Sequence, residues 1–226
     1  MGGKEEKERL IYHWSGEDDL VNNAWVDRIQ GFPLGKMNNP IHENSGYTCN
    51  GGAGYFMADL NSTVARNGTV GLHIGRLWRV VVECTPLIFR TTNMNLIVDF
   101  GSLTPSNKSF GFGISGAGGQ DRIIDNYKSP TNSQKYSVAT SRNDSNVPAP
   151  SINTRAIIEY GCEQSDNGDV QYFIYNDVKQ VATQVHAPIY FEADFNLSSI
   201  CVGNGIAGTF AIERVAIYDI KIYNND

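Results

Sequence analysis

Apolar residues in this chain recur at every second position, and no long segment shows the three-to-four spacing of a helix face. Leu96, Val98 and Phe100 alternate with Ile97, Asp99 and Gly101; Phe110, Phe112 and Ile114 alternate with Gly111, Gly113 and Ser115. Ala156, Ile158 and Tyr160 face away from Arg155 and Glu159, and Ile189, Phe191, Ala193 and Phe195 oppose Tyr190, Glu192 and Asp194. A final long strand puts Phe210, Ile212, Ala216, Tyr218, Ile220 and Ile222 on one parity, with Glu213, Asp219 and Lys221 on the other. Period two places successive side chains on opposite faces of a strand, so one face is core and the other wet, the arrangement of antiparallel sheets. The more continuous run Leu77–Val82 predicts a strand covered on both sides.

Turn chemistry separates these strands. Asp166-Asn167-Gly168-Asp169 lies between two alternating runs, and Asn-Gly tolerates the positive φ of a tight hairpin. Asn67-Gly68 and Gly203-Asn204-Gly205 are similar, and 128–153 reads as polar loops around one short strand, Tyr136–Ala139. With 226 residues, no dividing linker and no repeat, the pattern predicts one all-β domain, a two-sheet antiparallel sandwich over 10–226. Residues 1–9 are set apart, because six of the nine are charged. They read as a frayed tail, or as a tether left when a signal or lipid-attachment segment is trimmed, which would put the protein outside the cell or on its surface. The net charge of −6 disfavours nucleic acid as a partner, and no apolar run reaches the ~18 residues of a membrane-spanning helix.

Ile200-Cys-Val-Gly-Asn204, followed by Phe210-Ala-Ile-Glu-Arg-Val215 and Ile217-Tyr218, resembles the closing strands of laminin-G-like and pentraxin-like domains of the concanavalin A-like lectin/glucanase superfamily. His13-Trp14-Ser15-Gly16 and Trp25-Val26-Asp27-Arg28 look like that family's opening strand and its W-x-D turn. The resemblance implies a jelly roll of two face-to-face sheets, with Trp14 and Trp25 in structural roles. Ala211 stands where the family pattern has glycine.

The superfamily includes glucanases, which need two carboxylates about 5–5.5 Å apart. The nearest match to their Glu-x-Asp-x-x-Glu signature is Glu192-Ala-Asp194-Phe-Asn-Leu197, which lacks the second Glu, so the reading leans away from catalysis. Gly111-Phe-Gly113-Ile-Ser-Gly116 fits a dinucleotide motif by spacing but has no following helix to hold a pyrophosphate. His13, His42, His73 and His186 are too scattered for zinc. Asp18 and Asp19, with Glu17, Asn22 and Asn23, form the densest oxygen cluster and are the candidate calcium ligands; a solvated acidic loop explains them equally well. Cys49, Cys84, Cys162 and Cys201 lack C-x-x-C spacing and read as mostly free thiols.

Sugar recognition is the remaining chemistry. Aromatic rings stack on pyranose faces, while amides and carboxylates take the hydroxyls. Tyr47, Tyr55, Tyr127 and Tyr136 lie in or beside polar stretches and are the candidate exposed platforms, with Asp125 and Asn126 as polar partners. The sequence therefore predicts a non-catalytic binding module, carbohydrate-directed and lectin-like. A divergent glucanase-type hydrolase and a laminin-G-like module with a protein partner remain the competing classes.

Overall fold

A computed structural model describes residues 8–59, 72–75, 77–88, 94–101, 109–115, 122–128, 135–139, 151–166, 168–175, 177–181, 183–184, 187–188, 190–191, 195–197, 199–204 and 212–224. The strands are, in chain order, β1 Arg9–Ser15, β2 Ala24–Val26, β3 Pro33–Asn38, β4 Ile41–Glu43, β5 Gly46–Cys49, β6 Gly54–Asp59, β7 Leu72–Gly75 and β8 Trp78–Ile88. Then follow β9 Met94–Gly101, β10 Ser109–Ser115, β11 Arg122–Lys128, β12 Lys135–Ala139, β13 Ala156–Ser165, β14 Gly168–Tyr175 and β15 Val178–Val181. The short β16 Thr183–Gln184, β17 Ala187–Pro188, β18 Tyr190–Phe191, β19 Phe195–Leu197 and β20 Ser199–Val202 lead to the long β21 Arg214–Asn224.

Two large antiparallel sheets form, as the alternation predicts. The first runs β15-β14-β13-β8-β21-β5-β4, with β1 also on β21 and β18 on β14. The second runs β12-β11-β10-β9-β20-β6-β3-β2. Val80, Val82, Ile158, Tyr160, Ile217 and Ile220 of the first sheet meet Trp25, Leu34, Phe56, Val98, Ile200 and Val202 of the second in one buried cluster. Trp25 packs 5.0 Å from Tyr47 and 5.3 Å from Phe56, so an aromatic group spans both sheets at one end. The indoles that the resemblance treats as structural are fully buried and satisfied: Trp14 Nε1 donates to the Phe32 carbonyl at 3.1 Å, and Trp25 Nε1 to that of Ser15 at 2.8 Å.

Several details depart from the sequence reading. β1 begins at Arg9, the last residue of the charged run, and the Glu8 carboxylate before it pairs with Arg79 of β8. β8 is half-covered on its outer side: Trp78, Val80, Val82 and Cys84 are buried, while Arg79, Val81 and Glu83 between them are partly exposed. The hairpin at 166–169 pairs Ser165 with Gly168, which moves the two-residue loop one position toward the N-terminus. The strand expected over 189–195 is not one element, because β18 joins β14 of the first sheet while β19 pairs with β7.

All four cysteines are free thiols and buried. Burial pushes Cys49 and Cys84 up to about 12, and pushes Cys201 in the same direction. A thiol whose folded value lies above its unfolded ~8.5 contributes stability that is complete below that pH and is lost as pH rises toward the folded value. Native protein at pH 8 is therefore expected to resist a soluble disulfide reagent, with all thiols reacting once denaturant is added. Its melting temperature should fall progressively above pH ~9. A thiol that reacts rapidly in the native state would contradict this packing.

Candidate functional site

The long C-terminal strand carries the feature that builds a site. Along β21, Ile217 pairs with Cys84 but Asp219 pairs with Glu83, so Tyr218 is an extra residue, a β-bulge. The bulge changes which parity faces the core. Val215 and Ile217 point inward before it, and Ile220 and Ile222 after it. Ala216 and Tyr218, assigned to the core face by simple alternation, lie instead on the outer face of the first sheet.

There the Tyr218 ring packs against the backbone of Gly46, where a Cβ would come within 2.6 Å of Tyr218 Cδ1. Arg155 sits over the ring at 4.0 Å from its centroid and is itself held by Glu83, with Nε donating to Oε1 at 2.7 Å. The Thr85 hydroxyl donates to the Tyr218 hydroxyl oxygen at 3.2 Å. Gly46 opens β5 after a tight turn in which Asn44 and Ser45 have φ of 53° and 58°, both left-handed, as a two-residue hairpin requires.

Between this hairpin, the start of β21 and the end of β8 lies an open cleft of about 320 Å³, lined by Glu43, Asn44, Thr48, Leu87, Ile88, Asn153, Arg214, Ala216 and Tyr218. A second, about 410 Å³, lies on the other side of the hairpin against Glu17 and His42. In the first cleft the Thr48 hydroxyl donates to Glu43 Oε1 at 2.7 Å, while Arg214 Nη2 stands 3.8 Å from the same oxygen. Asn153 is held at the rim by its own N–H, which donates to the Pro86 carbonyl at 2.8 Å. The cleft thus offers a guanidinium, two amides and a carboxylate around a tyrosine edge, with Leu87 and Ile88 as an apolar wall. That mixture suits a polar ligand with some C–H surface.

The residues nominated from sequence are not gathered here. Tyr47 is 1% exposed inside the aromatic group, its hydroxyl donating to the Asp18 carbonyl at 2.5 Å, so it is no exposed platform. Burial pushes Tyr47 up to about 12, with the charges of Asp19 and Asp18 adding to the shift. Tyr55 is half-buried on β6, paired with Met37 of the second sheet and apart from the cleft. Tyr127 and Tyr136 occupy directly opposed positions on β11 and β12, with Asp125 opposite Phe112 and Asn126 opposite Gly111. The side chains of those four lie outside the described residues.

The calcium candidates do not converge either. Asp18 is engaged by Arg28, whose Nε and Nη2 donate to its two oxygens at 2.8 Å each, and these bonds hold the Asp18 carboxyl below its ordinary value. Asp19 is 97% exposed, 3.5 Å from His42 Nδ1. A cation would have to displace a bidentate guanidinium to reach Asp18. Among the described residues no three His, Cys, Asp or Glu side chains come together as metal ligands.

No protein-family model matches the chain, and no curated protein does. Solved structures do. A Trypanosoma rangeli sialidase in complex with 2,3-difluorosialic acid superposes with a TM-score of 0.57 at 13% identity, over 95% of this chain and 30% of the sialidase. The same enzyme in complex with sialic acid gives 0.56 at 11% identity, over the same shares of the two chains. A Ruminococcus gnavus sialidase CBM40 bound to α2,3-sialyllactose gives 0.46 at 14%, over 84% of this chain and 91% of that one. The chain therefore spans less than a third of the T. rangeli enzyme's length, and what it shares with that portion is the fold: a two-sheet β-sandwich.

Proposed function

We propose that this chain is a non-catalytic carbohydrate-binding module, presented outside the cell or on its surface, that seats a glycan in the Tyr218 cleft. The observation that carries the reading is the cleft's mixture of amides, an Arg–Glu couple and a tyrosine edge beside an apolar wall. Saccharides pair vicinal hydroxyls with such donors and acceptors while their C–H faces cover apolar surface. The T. rangeli sialidase that shares the sandwich carries sialic acid, and the sugar class of ligand is taken from it.

A glycan array spanning plant, host and bacterial structures tests the reading. A related set of glycans is expected to be retained. Asn44→Gly and Asn153→Gly, which tolerate the positive φ at both positions but remove the amides, should each weaken that binding roughly 5- to 10-fold, the value of one hydrogen bond. Retention of no glycan across the array would overturn it.

A further inference from the structure

We infer that the Tyr218 cleft selects glycans bearing a carboxylate, and that Arg214 is the residue that reads it; this rests on the glycan reading above. Arg214 is the first residue of β21, and its side chain, 41% exposed, leans into the cleft beside Glu43. Its donors are underused. The Nε–H is buried without a hydrogen-bond partner, and Glu43 Oε1 stands 3.8 Å from Nη2, beyond hydrogen-bond reach. Glu43 cannot close that gap freely, because the same oxygen already accepts from the Thr48 hydroxyl at 2.7 Å. A guanidinium presents its N–H groups as a planar fork that matches the two oxygens of a carboxylate. Left unpaired, the buried Nε–H is unfavourable, so the guanidinium is not locked into a full set of protein hydrogen bonds. A sugar hydroxyl can meet one guanidinium donor; a carboxylate can take two and brings the charge that Glu43 only partly supplies.

This geometry gives Glu43 a defined and opposite role. Its carboxylate, 42% exposed, shares the guanidinium with any acidic ligand and repels it. Glu43 is then a positioning residue that tempers the preference.

The test compares matched pairs binding to the whole chain by calorimetry: trigalacturonate against its methyl ester, and 3′-sialyllactose against its methyl ester. The two pairs separate uronate from sialate as the source of the carboxylate. In at least one pair the acid is expected to bind on the order of 10-fold tighter than its ester. Arg214→Gln should level the acid down to its ester, and Glu43→Gln should widen the gap several-fold. Equal binding of acid and ester in both pairs overturns the inference. So does a preference that survives Arg214→Gln, or one that narrows with Glu43→Gln. If Arg214→Gln does not fold, the wild-type comparison and the sign of the Glu43→Gln effect still decide. Retention of neutral glycans with equal acid and ester binding sinks this inference alone, whereas retention of no glycan at all sinks the functional reading beneath it.

Discussion

Gly203→Ala is expected to lower the unfolding free energy by roughly 3–5 kcal/mol, a large fraction of what a domain has to lose. Two effects add. Gly203 has φ of 81°, a conformation that costs an L-residue about 1–2 kcal/mol. The new Cβ would also stand 2.2 Å from Cys49 Cβ and 2.6 Å from its Sγ. Gly203 follows β20 of the second sheet, and Cys49 ends β5 of the first, so here the two sheets approach closely. The Gly203 N–H donates to the Ile97 carbonyl at 2.7 Å, which leaves its backbone no slack to withdraw. The contact predicts a specific double-mutant result. Cys49→Ala removes the sulfur but keeps the nearer atom, so it should not rescue Gly203→Ala. Cys49→Gly should rescue it, with a coupling of about 1–3 kcal/mol in denaturant midpoints. A loss below 1 kcal/mol for Gly203→Ala alone, or equal rescue by the two Cys49 variants, would refute the contact.

The same segment shows how much a sequence of this kind carries. The Ile200–Asn204 pattern and period-two alternation are legible because burying one face of a strand constrains every second residue. β9, β10 and β13 sit where the alternation puts them. The site was not legible for the same reason. Alternation assumes an unbroken ladder, and one inserted residue at Tyr218 reverses the faces on either side. The signal was present in the letters: Val215 and Ile217 are apolar on the odd parity, Ile220 and Ile222 on the even one. Two apolar phases within eight residues mark a bulge, and bulges often re-aim a side chain at a site. Tyr47 misled in the opposite direction. Its neighbours Gly46 and Thr48 suggest a polar loop, yet Gly46 is glycine to admit Tyr218, and Tyr47 reaches the core from a strand of four residues. Asp18 looked like a free oxygen ligand because Arg28 lies ten positions away, and only the fold brings its guanidinium onto the carboxylate.

Asp27 carries the second large effect. Its carboxylate is 2% exposed and accepts four backbone N–H bonds: Oδ1 from His13 at 2.6 Å and Ile29 at 3.0 Å, Oδ2 from Gln30 at 2.7 Å and Phe32 at 3.4 Å. These donors come from β1 and from the turn after β2, so one side chain ties the first strand to the turn whose Phe32 carbonyl receives the Trp14 indole. Asp27→Ala leaves several donors buried without an acceptor, at roughly 1–3 kcal/mol each, and a total loss near 3–5 kcal/mol is expected. Asp27→Asn separates charge and acceptor number from shape. An amide fills the same volume, but one oxygen becomes an NH₂ that faces N–H donors, so asparagine should recover less than half of the loss. Tyr12 supplies a readout that a purely steric role would not move. Burial, and then the Asp27 charge, push its hydroxyl up to about 12. Asp27→Asn removes that charge, so Tyr12 should titrate at lower pH than in the wild type when followed by phenolate absorbance. An asparagine variant within 1 kcal/mol of wild type, with Tyr12 unmoved, would show that the turn is held by packing and not by the carboxylate.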